Sequence, residues 1–181
     1  MGGDKKRPPS ATDRLLERAE ATQGPLGGEA REGEGAIETL FLFRACGVGL
    51  ASPAAYIRGV EEPKEPTPIP GAPPHVLGVF LHDEEVLPLV DLGLFCQLSG
   101  GGRQDDTMLS RTLLVRAGGF DVGLRCDHIT GIAGVPAAAL REPEILGPAL
   151  LRRFLGSEFD WEGEVIGNLD VPLLLKGAAV T

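Results

Sequence analysis

Two stretches, Arg44–Val60 (RACGVGLASPAAYIRGV) and Arg116–Ile132 (RAGGFDVGLRCDHITGI), lie 72 residues apart and read alike. Arg44, Ala45, Gly47, Ile57 and Gly59 fall on Arg116, Ala117, Gly119, Ile129 and Gly131. Val48, Leu50 and Val60 fall on Phe120, Val122 and Ile132 and keep apolar character. A second slide, of 79 residues, brings Phe80, Glu85, Val86 and Asp91 onto Phe159, Glu164, Val165 and Asp170. Self-similarity at a fixed offset marks a repeated supersecondary unit. Each unit reads as a strand, a Gly turn and a strand running to Ile-x-Gly-Val or its relative, then a second hairpin with an acidic turn. One such unit has little core of its own. Two packed together share a core, and a groove between them is a default binding site.

Working outward, short aliphatic and β-branched runs alternate with Gly, Pro and acidic residues from Ile37 onward. Leu40–Ala45, Val76–Leu81, Val86–Leu92, Thr112–Ala117, Phe120–Cys126 and Val165–Leu175 have the length and spacing of strands in a barrel or sandwich. Glu61–Pro74 (EEPKEPTPIPGAPP) holds six prolines, which favour extended geometry, so it reads as an ordered crossover. Ser99–Ser110 (SGGGRQDDTMLS) reads as flexible. Pro148–Leu155 (PALLRRFL), flanked by Gly147 and Gly156, reads as one short helix begun by proline. Residues 1–36 are poor in apolar side chains and read as a disordered tail. Residues 12–23 are its exception, a nascent helix capped by Thr12 and stopped by Gly24 and Pro25. The remaining domain spans 37–177.

Composition excludes several functions. The 181 residues carry 17 Lys and Arg against 26 Asp and Glu, a net charge of −9. Such a surface repels phosphate, which argues against nucleic acid and against docking on anionic membrane. No run approaches the roughly 20 apolar residues of a span, so direct membrane insertion is not expected. The basic start, Met1–Pro9, leads into no apolar stretch and is not read as a signal peptide. Cys46, Cys96 and Cys126 are odd in number and far apart, and read as reduced thiols in a cytoplasmic protein. There is no phosphate loop, nucleophile elbow or His-Glu-x-x-His. No enzymatic activity, cofactor or metal is expected; His82–Glu85 reads as a solvated acidic hairpin tip.

Several motifs in order, Ile57–Val60, Pro68-Ile69-Pro70, His75–Val79, Val86–Leu92 and Val122–Ile129, resemble the CheW-like family. These are bacterial chemotaxis coupling proteins and the matching regulatory domain of the CheA histidine kinase. The likeness runs from about Thr39 to Leu175. It implies a mainly β fold of two five-stranded barrel subdomains on a common core. It also implies an adaptor, cytoplasmic and recruited to membrane-associated arrays, that links methyl-accepting chemoreceptor tips to a CheA-type kinase and to other CheW-like proteins. The positions matching the family's receptor groove are Ile57, Gly78, Asp83, Gly123, Ile129 and Ile132. Read from the residues alone, the three isoleucines equally suit the core, and the two glycines equally suit turns or close strand approach. The family usually has Asn-Leu-Arg-Gly where Leu81-His82-Asp83-Glu84 stands, so Asp83 reverses the charge of a coupling Arg. A Glu common in the family is Gly59 here. Gly59, His82, Asp83 and Glu84 thus mark a kinase contact or an altered-partner contact. Loss of the turn Gly at Glu84 predicts a changed turn geometry, and the acidic tip suits a basic partner surface. A CheW-fold adaptor for localisation or motility, without kinase activation, is the alternative.

Overall fold

The computed structural model describes residues 35–98 and 110–178. The helix expected over 12–23, its tail and most of the glycine-rich 99–110 segment lie outside the described residues. In chain order the strands are β1 (Ile37–Ala45), β2 (Val48–Pro53), β3 (Ile57–Glu61), β4 (Val76–His82), β5 (Glu85–Asp91), β6 (Arg111–Ala117), β7 (Phe120–Cys126), β8 (His128–Pro136), β9 (Leu155–Trp161) and β10 (Glu164–Leu169). Three short helices are α1 (Leu92–Cys96), α2 (Ala149–Arg152) and α3 (Val171–Ala178).

The 72-residue offset carries β1, β2 and β3 onto β6, β7 and β8, and the 79-residue offset carries β4, β5 and α1 onto β9, β10 and α3. The sheets, however, are not the repeats. One runs β8-β1-β2-β10-β9 and the other β3-β6-β7-β5-β4. Each sheet takes one hairpin from its own unit and three strands from the other. β3 leaves the first hairpin to pair with β6, and β8 leaves the second to pair with β1. The exchange gives both hairpins a partner along their open edges, which would otherwise expose a row of unpaired amides. One parallel seam closes each exchange. β10 lies on β2 through Gly167↔Leu50, and β5 lies on β7 through Leu89↔Gly123.

Alternation along β1 shows how the core divides. Leu40 and Leu42 face an inner cluster with Ala51, Ala133, Val135, Phe159 and Ile166, one contribution or more from each strand of the first sheet. Five strands can meet in one cluster only if the sheet curls around it. Phe41, Phe43 and Ala45 point the other way, into a larger core with Leu113, Val115, Val122, Leu124 and Leu174. That core is shared by both sheets and the helices, and it commits the two halves to one another. Phe80, Leu87, Leu89 and Leu114 fill the inside of the second sheet.

The structure corrects three expectations. The run Val165–Leu175 is not one strand: it leaves the sheet after Leu169, where Asp170 Oδ1 accepts the Leu173 N–H at 2.9 Å and begins α3. Likewise Val86–Leu92 turns helical after Asp91, whose Oδ1 accepts the Leu94 N–H at 2.9 Å. The matching aspartates of the repeat are therefore helix N-caps, each satisfying an amide that the first turn leaves unpaired. The helix expected over 148–155 is only Ala149–Arg152, because Leu155 is taken up by pairing with Leu169 at the start of β9.

Candidate functional site

Among the described residues, four hairpins close through two-residue turns, Cys46-Gly47, Asp83-Glu84, Gly118-Gly119 and Glu162-Gly163. Both residues of every turn have positive φ. This is the geometry whose twist matches the flanking strands, and it favours Gly, above all at the second position. Three of the four turns supply that Gly. In the remaining one Glu84 sits at φ +72°. The changed turn geometry expected here is not what forms: the turn keeps its tight two-residue form, because β4 and β5 stay in register up to His82↔Glu85. The strain falls on Glu84 instead.

Around this tip the charge is mostly negative. His82 Nδ1 lies 2.7 Å from Glu61 Oε1, and its Nε2 lies 3.7 Å from Asp83. Lys64 Nζ lies 2.6 Å from the other oxygen of Glu61, and Arg111 reaches Glu62 at 3.6 Å. Asp83 and Glu84 point their chemistry outward, both exposed. His82, Asp83 and Glu84 are thus brought together on one hairpin. Gly59, on β3 opposite Leu114, is buried, two residues before the Glu61 that pairs with His82.

The isoleucines form a second group. Ile57 and Ile129 are repeat mates, each the first or second residue of a strand that crosses between the sheets. With Ile132 they are half-buried and pack against the shared core, leaving part of each side chain in solvent. Gly78 and Gly123 are buried. At Gly78 (φ +141°) an added Cβ would run into the Thr67 carbonyl of the crossover. That crossover is tied down by the Thr67 N–H donating to the Val79 carbonyl at 2.7 Å. At Gly123 a Cβ would stand 2.7 Å from the Phe80 ring. Both glycines therefore set how closely β4 approaches its neighbours.

Sequence reading missed the open seam between β5 and β7. A cavity of about 670 Å³ lies there, lined by Val86, Pro88, Phe120, Val122, Pro172 and Leu175 among others. Phe120 and Val86 are 72% and 65% exposed, and Ile69 also lines the space. One signal was available: Pro88 sits mid-strand in what the topology makes a central strand, and proline marks a place where the ladder is interrupted. Pairing with β7 indeed begins only at Leu89.

The remaining titratable groups serve the framework. Burial pushes the Cys96 and Cys126 thiols up to about 12, and it raises Cys46 with help from Asp91 and Asp127. Glu158 is fully buried. Burial pushes its carboxyl up, but N–H donors from Ile145 and Leu146 and the Arg141 guanidinium outweigh that and hold it below the usual carboxylate range. It pins the loop before α2 to β9. No helix among the described residues is long and apolar enough to cross a membrane.

Among the described residues, two five-stranded sheets packed on a shared core define a mainly β, double-sheet class of domain. The crystal structure of the scaffolding protein TtCheW from Thermoanaerobacter tengcongensis has the same fold. It superposes with a TM-score of 0.68 at 15% identity, over 82% of this chain and 94% of that one. A family model for the CheW-like domain matches residues 39–179, and the chain belongs to that family of chemotaxis scaffold and coupling proteins. Protein FrzA of Myxococcus xanthus is 29% identical over 142 residues, covering 78% of this chain and 87% of that protein.

Proposed function

We propose that this chain is a non-enzymatic cytoplasmic adaptor that joins the tips of methyl-accepting chemoreceptors to a CheA-type histidine kinase at membrane-associated arrays. The observation that carries the reading is the set of half-buried isoleucines, Ile57, Ile129 and Ile132, which hold apolar surface at the rim of the shared core. Such a surface fits the apolar face of a helical hairpin. Gly78 and Gly123 belong to this reading as the residues that shape the second sheet beside it.

The acidic tip favours a second reading, an adaptor for localisation or motility that does not activate the kinase. Asp83 stands where the family's coupling Arg is usual, on a strained turn, and strain in a backbone tends to be kept where function uses it. The contact would then comprise His82, Asp83 and Glu84, with Gly59 behind them. Asp83→Arg separates the two in a reconstituted assembly of receptor tips, kinase and adaptor. Stronger kinase activation by the variant supports an ordinary coupling surface whose gain is tuned down. Unchanged kinase activity with lost co-sedimentation of the native complex supports the altered-partner reading. Indifference in both readouts removes Asp83 from the interface.

A further inference from the structure

The internal repeat shows what each parallel seam accepts. In the first sheet the β10–β2 pairing begins only at Gly167↔Leu50, as the β5–β7 pairing begins only at Leu89↔Gly123. That first seam is plugged by the chain itself. Arg44 spans it to an ion pair with Glu164, and the Ile166 side chain occupies the space that a Cβ on Gly49 would take.

The second seam has the same parts arranged differently. Arg116 is the repeat mate of Arg44, Glu85 of Glu164, and Asp121 of Gly49. Asp121 captures Arg116 within its own hairpin through a two-point ion pair, Nε to Oδ1 at 2.6 Å and the second nitrogen to Oδ2. That pair holds the Asp121 carboxyl below the usual range. Glu85 makes no ion pair among the described residues, although its charge still acts on Arg116, and the slot, which Arg116 and Lys176 also line, is left as the open cavity. Phe120 and Val86, mates of the half-buried Val48 and Val165, stand exposed at its mouth. The backbone of Glu85–Pro88 is unpaired on the side facing β7. Scattered exposed apolar residues need no explanation, but three large ones around one cavity do.

We propose that the β5–β7 seam docks an extended segment of a partner protein carrying a basic residue beside a large aliphatic one. The aliphatic side chain fills the slot against Val122 and Leu175, and the basic group takes the role toward Glu85 that Arg44 takes toward Glu164. The edge before Leu89 adds backbone hydrogen bonds at Val86, as in strand addition, while Pro88 has only its carbonyl to offer. A net charge of −9 favours a basic partner over a second copy of this chain. The inference does not rest on kinase coupling, and a failed kinase titration leaves it standing.

The test titrates the full chain, ¹⁵N-labelled, with the peptide acetyl-Gly-Arg-Ile-Arg-Ile-Arg-Gly-amide at physiological ionic strength. Control peptides carry Ser in place of Ile or Glu in place of Arg. Saturable shifts confined to Glu85–Val90, Phe120–Val122 and α3, with affinity reduced about tenfold for each control peptide, are expected. Glu85→Lys and Phe120→Ser, both at exposed positions, should weaken binding by a similar factor while leaving the amide spectrum elsewhere unchanged. Equal binding of the Ser peptide, shifts mapping elsewhere, indifference to both substitutions, or no binding would each overturn the proposal. Self-association of the chain that Phe120→Ser abolishes would also overturn it, by giving the seam to a second copy.

Discussion

Replacing Glu84 by glycine should stabilise the protein, although it removes a side chain and touches no core contact. Glu84 sits at φ +72° in a turn that three other hairpins of the molecule close with Gly. A left-handed conformation costs an ordinary residue about 1–2 kcal/mol, which Gly does not incur. Gly returns part of this through the greater freedom of the unfolded chain, about 0.5–1 kcal/mol. A net gain of about 0.5–1 kcal/mol remains, or about 2–3 °C in Tm for a domain of this size. Removing a carboxylate from between Asp83 and Glu85 adds a smaller term that salt screens. Thermal unfolding followed by far-UV circular dichroism, at low and high salt, reads both contributions. Glu84→Ala is the control, because it deletes the charge and keeps the strained backbone. The reasoning requires Glu84→Gly to exceed Glu84→Ala at both salt concentrations. Equal gains would assign the effect to charge alone, and a loss in the glycine variant would refute the strain argument.

Further consequences can be checked on the same protein. Gly123→Ala places a Cβ 2.7 Å from the Phe80 ring and should cost about 1–3 kcal/mol in urea unfolding, with partial recovery in the Phe80→Leu double variant. Asp91→Ala and Asp170→Ala each remove a helix N-cap and should each cost about 1 kcal/mol; the caps begin different helices, so their effects should add. Glu158 has a folded-state pKa below its ordinary value of 4.5, so its stabilisation is present above that value and is lost as pH falls through the depressed one. Glu158→Gln should therefore be less stable than the parent at neutral pH, with the difference shrinking on acidification. A pH-independent difference would show that the charge contributes nothing.

Much of the fold could be read from residues, because strand-length apolar runs and a doubled pattern survive in the chain. The strand exchange could not. Ile57–Val60 and Ile129–Ile132 match one another, but a match says nothing about which sheet each strand joins. The two capped helices were hidden by Val86–Leu92 and Val165–Leu175, since a short continuous apolar run has no period that separates strand from helix. Asp170-Val171-Pro172 did contain a start signal, a capping residue followed by an early proline. The candidate site divides in the same way. The acidic tip at His82–Glu85 was plain in the sequence, whereas the open β5–β7 seam goes with Arg116 pairing to Asp121 inside its own hairpin. The pattern of residues does not say which of the nearby carboxylates an arginine will pair with.

The adaptor reading meets its most direct test in a calorimetric titration of the full chain with the regulatory domain of a CheA-type kinase from the same genome. Saturable binding at micromolar concentration or tighter, at one adaptor per kinase domain, is the predicted result. No heat of binding from a protein whose unfolding transition shows it to be folded would contradict it, and would mean that the CheW-like fold persists here without the coupling to a kinase.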